Sequence, residues 1–198
     1  MIVKRICVFA SGNGSNLQSI VNSTNHGVLK GLASVVLVIS DNNNAYALER
    51  AKKENIRSIC IEDKKFENDK FFNDVILDEL YNMSIDIICL AGYLKLINKK
   101  IIKKYRGRIL NVHPSLLPKF GGKGMYGNYV HEAVVKSGEH ISGATVHIVD
   151  ENYDTGEIIL QKKIKIFKND TSNDVSKKVL GIEHRIYPKA IKKIIKNL

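Results

Sequence analysis

Apolar residues in this chain gather into short runs separated by polar, glycine-bearing turns. Residues 2–10 (Ile-Val-Lys-Arg-Ile-Cys-Val-Phe-Ala) read as a first strand, and residues 35–40, nearly all apolar, as a second one buried on both faces of a parallel sheet. Residues 58–61 make a third strand, and residues 85–91 and 109–113 two further buried ones. Between these runs the apolar period lengthens. Leu17, Ile20 and Val21 follow the first strand on one side of a helix, residues 45–54 and 98–105 are helical, and residues 68–83 carry Phe72, Val75, Ile76 and Leu80 at helical spacing.

Beyond residue 119 the pattern changes. A Gly-rich stretch, residues 119–128, reads as a flexible loop, and residues 129–136 as a helix ended by Gly138. Residues 142–149 alternate, with Ala144, Val146 and Ile148 against Thr145, His147 and Val149. An acidic turn, residues 150–156, leads to a second strand over 158–167, close enough to be the antiparallel neighbour of the first. Thr171 with Asp174 marks a helix N-terminus, and the remaining segment is helical with a break or kink expected near Pro188. Lys189, Lys192, Lys193 and Lys196 suit the negative end of that helix.

Strand-helix repeats, then a β-rich segment, then a helix predict an α/β, Rossmann-like protein. Its central sheet is expected to be mostly parallel and flanked by helices, with a β-rich C-terminal half and a C-terminal helix. At 198 residues, 44% of them hydrophobic, the chain is expected to be one domain with halves near residues 1–100 and 101–198.

Composition narrows the function classes. No run approaches the roughly 18 apolar residues of a membrane span, and Lys4 and Arg5 interrupt what would be a secretory signal, so a cytoplasmic location is expected. Cys7, Cys60 and Cys89 each lie in an apolar run and read as small buried hydrophobes. The net charge of +11 is spread over scattered lysines, not an arginine stripe with aromatics. It favours small anionic partners over nucleic acid.

The candidate chemistry starts at Asn111 and His113. Residues two apart on a strand share a face, and Pro114 ends the ladder, so an amide and an imidazole stand at the carboxyl end of the strand, where open α/β sheets bind ligands. Such a pair can stabilise an oxyanion and move a proton, or simply tie off a strand end. After the first strand comes Ser11-Gly12-Asn13-Gly14-Ser15-Asn16, a strand, glycine loop and helix start suited to a single phosphate; Ser15 or Asn16 can also cap the helix. Leu17 occupies the third glycine position of a dinucleotide fingerprint, which makes that ligand a poor match. Gly92 and the apolar Leu94-Lys95-Leu96-Ile97 follow another strand end and could line a flat pocket or begin a helix. The six histidines form no metal motif, so no metal is expected. His26, His131 and His140 read as surface residues, His147 as structural, and His184 as a neighbour of the phosphate loop.

Taken together, Ser11-Gly-Asn-Gly-Ser-Asn-Leu-Gln18, Leu90-Ala-Gly92-Tyr93, Asn111-Val-His113-Pro-Ser-Leu-Leu-Pro118, Thr145-Val-His147, Asp154-Thr-Gly-Glu-Ile-Ile-Leu-Gln161 and Glu183-His-Arg-Ile-Tyr-Pro188 resemble the phosphoribosylglycinamide formyltransferases. These are folate-dependent enzymes of purine synthesis. The resemblance covers essentially the whole chain. It implies 10-formyltetrahydrofolate as formyl donor and glycinamide ribonucleotide as acceptor, with Asn111, His113 and Asp154 as the catalytic set. It further implies that Gly12, Asn13, Gly14, Ser15, Asn16, Gly92 and Glu183 hold the ribonucleotide. The folate would lie along Leu94, Lys95, Leu96, Ile97, Asn111 and Asp150, Glu151, Asn152, Tyr153, Asp154.

Two positions depart from the family pattern. Asp69 stands where an arginine often meets the folate, with Lys70 the nearest cation, and Leu180 stands where relatives often carry a polar residue. Asp154 beside His113 is expected to raise the imidazole pKa and favour a charged donor. Methionyl-tRNA formyltransferase and formyltetrahydrofolate deformylase share the Asn-x-His-Pro core and stay as alternatives, but each carries a further domain that is not expected here. A sugar-nucleotide formyltransferase, with its usual partner domain, is the lesser expectation, and a non-catalytic nucleotide-binding module is the alternative of another class. Monomer and homodimer are both compatible with the sequence.

Overall fold

A computed structural model describes residues 2–62 and 69–198. One seven-stranded sheet runs β3-β2-β1-β4-β5-β6-β7, with β1 Lys4–Phe9, β2 Ala33–Ser40, β3 Arg57–Cys60, β4 Ile87–Leu90, β5 Ile109–His113, β6 Ile141–Ile148 and β7 Ile158–Lys165. The first five pair in parallel, and β5–β6 and β6–β7 pair antiparallel. The helices are α1 Ser15–His26, α2 Tyr46–Lys53, α3 Asp69–Asn82, α4 Lys99–Lys104, α5 Asn128–Lys136 and α6 Ser172–Ile195. The expected helix over 68–83 begins outside the described residues. The strand-helix order thus gives the Rossmann-like architecture that the hydrophobic pattern predicts.

The period of two along the strands divides the core. Ile6 and Val8 of β1 and Ile87 and Cys89 of β4 pack with α1, α2, α5 and α6. Their neighbours Cys7, Phe9, Ile88 and Leu90 pack with α3 and α4 on the other face. Both faces are covered over residues 6–9 of β1, 37–39 of β2 and 87–90 of β4, and these stretches are continuously apolar. The chain order reverses between β1 and β4, and ligand crevices form at the carboxyl ends of strands flanking such a point. There the Ser11 amide donates to the Gly92 carbonyl at 3.1 Å, and the Leu94 amide donates to Ser11 Oγ at 3.1 Å, joining the two loops that the sequence singles out.

Three local outcomes differ from, or sharpen, the expectations. α6 runs unbroken through Pro188. Proline supplies no N–H for the carbonyl four residues earlier, His184, and Ser19 Oγ of α1 donates to that carbonyl instead, at 2.8 Å. The Thr171–Asp174 capping box forms as expected. Neither Ser15 nor Asn16 caps α1, however: the N-cap is Gly14 in the left-handed region (φ 75°) with no side-chain cap. Asn16 turns its amide to Glu183 of α6 instead, at 2.6 Å.

Candidate active site

β5 places Asn111 and His113 at the sheet's carboxyl edge, and the β5–β6 register sets His147 directly across from Asn111 and Thr145 across from His113. His147 Nδ1 lies 2.9 Å from the Ile148 carbonyl, which only accepts, so Nδ1 carries the proton. Nε2, on the other side of the ring, faces Asn111 Nδ2 at 3.2 Å. The histidine read as structural from the sequence is therefore a partner of the candidate catalytic amide. Alternation put it on one face of its strand; only strand register gave it this neighbour.

Asp154 reaches the same point from the turn between β6 and β7. Asp150 organises that turn, accepting from the Asn152 amide at 2.9 Å and from Thr155 Oγ1 at 2.8 Å. Asp154 itself adopts a left-handed backbone (φ 57°). Its Oδ1 lies 3.5 Å from Asn111 Nδ2 and 3.4 Å from His147 Nε2, and its Oδ2 lies 3.4 Å from His113 Nδ1 and 3.0 Å from the Gly122 amide that donates to it. Burial pushes the Asp154 carboxyl up, but the hydrogen bond with His147, the His113 charge and the Gly122 amide together hold it below the usual carboxylate range.

His113 is 3% exposed. Burial pulls its pKa below the ordinary histidine value, and the opposing pushes from Asp154 and the Phe120 carbonyl are smaller, so the expected rise is reversed. Its Nε2 lies 2.8 Å from the Phe120 carbonyl and must carry the proton. In the neutral ring Nδ1 is thus a bare lone pair facing Asp154.

The loop beyond His113 is tied, not loose, in its first half. Ser115 Oγ donates to the Lys119 carbonyl at 2.6 Å, and Thr145 Oγ1 donates to the Ser115 carbonyl at 2.7 Å while accepting from the Leu117 amide at 3.1 Å. A side chain on Gly121 would meet Leu117 Cδ2 at 2.6 Å and Asp154 Cβ at 3.3 Å, so the loop backbone passes close beside the residue that carries the carboxylate. Behind it, His131, expected at the surface, is 4% exposed on the α5 face that buries Val130 and Val134. Burial, with the His113 charge second, brings its pKa down to about 4.

The glycine loop forms a second cluster. Glu183, 7% exposed, accepts from Asn16, and burial raises its carboxyl pKa above the usual range. Gly92 takes a left-handed backbone (φ 73°) beside this loop. His184, half-buried, has its pKa lowered by burial and by the nearby Arg50 charge. Arg50, which the sequence does not single out, contacts Asn13.

The residues assigned to the folate scatter more. Leu94 and Leu96 are exposed, Ile97 is buried, and Lys95 Nζ sits 5.3 Å over the Phe72 ring. Lys95, Leu96 and Ile97 line a cleft of about 420 Å³ with Phe72 and Asn73. Asp150 and Glu151 line another of about 760 Å³ with Lys99, Ile102, Arg106 and Val149. Glu151 pairs with Lys99 at 2.7 Å, and Asn152 and Tyr153 point out to solvent. The side chain of Lys70, in the first turn of α3, lies outside the described residues.

An α/β sheet whose Asn-x-His strand end is faced by a turn aspartate defines the class: the chain belongs to the formyl transferase family, matching it over residues 4–191. Among similar proteins, the chloroplastic phosphoribosylglycinamide formyltransferase of Arabidopsis thaliana is 39% identical over 95% of this chain, which spans 64% of that relative's length. The phosphoribosylglycinamide formyltransferase of Bacillus subtilis is 38% identical over 98% of this chain and 95% of its own. The crystal structure of glycinamide ribonucleotide transformylase 1 from Symbiobacterium toebii superposes with a TM-score of 0.91 at 34% identity, covering 98% of this chain and 89% of that one.

Proposed function

We propose that this chain transfers the formyl group of 10-formyltetrahydrofolate to the amine of glycinamide ribonucleotide, giving the formylated ribonucleotide and tetrahydrofolate in purine synthesis. The observation that carries it is the convergence of Asn111, His113 and Asp154. Asp154, 43 residues along from Asn111, comes within 3.5 Å of its amide and within 3.4 Å of the His113 ring.

The chemistry follows from what each group can still do. Attack of the amine on the formyl carbon places negative charge on the formyl oxygen. Asn111 Nδ2, which lies 3.2 Å from His147 Nε2 and 3.5 Å from Asp154 Oδ1, donates to that oxygen as the charge develops. A donor aimed at a developing oxyanion is worth roughly 3–4 kcal/mol. His113, neutral and with Nδ1 vacant, takes the proton that the amine loses on forming its new C–N bond, and Asp154 stabilises the resulting imidazolium. The same proton returns to N10 of the folate as its bond to carbon breaks.

Gly12 to Asn16 with Glu183 hold the ribonucleotide in this scheme, its phosphate at the start of α1 and its amine directed by Gly92 toward Asn111. The folate occupies the surface between residues 94–97 and 150–154. The partners are small molecules, not nucleic acid or membrane, and no step calls on a metal. Among the described residues no helix is long and apolar enough to cross a membrane, and we place the reaction in the cytoplasm, in a monomer or homodimer.

The test is a formyl-transfer assay with purified protein, glycinamide ribonucleotide and a 10-formyl folate, with His113→Ala alongside. Turnover that needs both substrates and drops at least about a hundredfold in the variant is expected. Consumption of the folate alone would mean a deformylase instead.

A further inference from the structure

Two consecutive carbonyls of the glycine loop are pinned to one helix. The Gly12 carbonyl accepts from the Ala47 amide at 3.1 Å, and the Asn13 carbonyl accepts from Arg50 Nε at 2.8 Å, both on α2. In a trans peptide the N–H points opposite to the carbonyl. The amides of Asn13 and Gly14 are therefore turned away from α2, next in line to the first amides of α1.

The contact is close and shaped for arginine. A Cβ on Gly14 would stand 2.8 Å from Ala47 Cα, so loop and helix touch at backbone distance. Arg50 forks over Asn13, with Nε on the carbonyl and Nη2 on the side-chain Oδ1 at 3.0 Å, while Nη1 reaches Gln18 Oε1 at 3.4 Å. Tyr46 lies under its guanidinium, 5.0 Å away, and Glu54 fixes Gln18 at 2.6 Å. A planar fork is needed here; a lysine supplies the charge but cannot hold both oxygens. Two residues beyond Gly14, Asn16 is 8% exposed, and its Oδ1 is a buried polar atom with no hydrogen-bond partner among the described residues.

We propose that Arg50 is a positioning residue that sets the peptide planes of the glycine loop so that successive amides face the phosphate of the acceptor substrate, and so governs affinity for phosphorylated acceptors. This rests on the proposed reading of the loop as the phosphate site.

The experiment pairs full-chain Arg50→Lys and Arg50→Gln with two readouts, inorganic phosphate binding followed by ³¹P line broadening and steady-state kinetics. Both variants are expected to weaken phosphate binding and to raise KM for glycinamide ribonucleotide, each at least about tenfold, with kcat and the KM for the formyl donor changed less than about twofold. Failure of lysine to rescue separates orientation from charge. Arg50→Lys behaving as wild type, a rise in donor KM equal to that for acceptor, or no phosphate binding to the wild type would each overturn the proposal. Wild-type phosphate binding without formyl transfer would instead overturn the proposed reaction while leaving the role of Arg50 standing. Should Arg50→Gln fail to fold, Asn13→Ala, which removes one prong's acceptor, is expected to shift both constants in the same direction.

Discussion

Nε2 of His147 lies 3.2 Å from Nδ2 of Asn111, and the proton on His147 Nδ1 is committed to the Ile148 carbonyl. The ring anchored by that bond therefore holds the Asn111 amide in place. His147→Ala is expected to lower kcat about tenfold by freeing the amide to flip, whereas Asn111→Ala, which deletes the donor itself, lowers it roughly a hundredfold or more. Single-turnover rates of both variants check the order; equal losses would contradict it.

Gly156 guards the same carbonyl. A Cβ there would fall 1.8 Å from the Ile148 oxygen that orients His147. Gly156→Ala must push the turn carrying Asp154 off β6, destabilising the protein by about 1–3 kcal/mol and lowering kcat about tenfold. Thermal unfolding and kcat measured on one preparation should fall together.

The pH dependence of turnover follows from His113. Because burial holds its folded pKa below the usual value near 6.5, the ring is neutral at pH 7 and competent to take a proton. The rate is expected to hold through neutrality and to fall only as acid titrates His113 below about pH 6.5. A kcat profile that falls already between pH 8 and 7 would mean a raised pKa.

Stability should follow His131. Unfolded, the ring binds a proton below about pH 6.5; folded, it resists until about 4. Across that window the unfolded state holds more protons, so the stabilisation is complete above pH 6.5 and is lost as pH falls toward 4, by on the order of 3 kcal/mol. His131→Phe is expected to flatten that part of the stability curve, measured by denaturant unfolding at pH 7, 5.5 and 4.

Ser19 and Pro188 should be coupled. Ser19→Ala leaves the His184 carbonyl short of a donor and is expected to cost about 1–2 kcal/mol. In a Pro188→Ala background, where an N–H returns to that carbonyl, the same substitution should cost less. A double-mutant cycle with no interaction energy would sink the idea.

The sequence by itself determined the succession of elements and their core faces, because burial on two sides of a parallel sheet writes itself as continuous apolar strands between amphipathic helices. It also determined that Asn111 and His113 end a strand, and that a glycine loop opens the first helix; these follow from periods of two and 3.6 and from where proline and glycine stand. What lay across from those residues was decided only by the tertiary structure. The β5–β6 register brought His147 to Asn111, and the packing of α2 brought Arg50 to Asn13. No local pattern encodes either pairing. The sign of the His113 shift was settled in the same way. A neighbouring carboxylate can be read from a motif, but desolvation depends on everything that closes over the ring, and here it outweighs Asp154. Asn16 could equally have capped its own helix; Glu183, 167 residues away, took its amide instead.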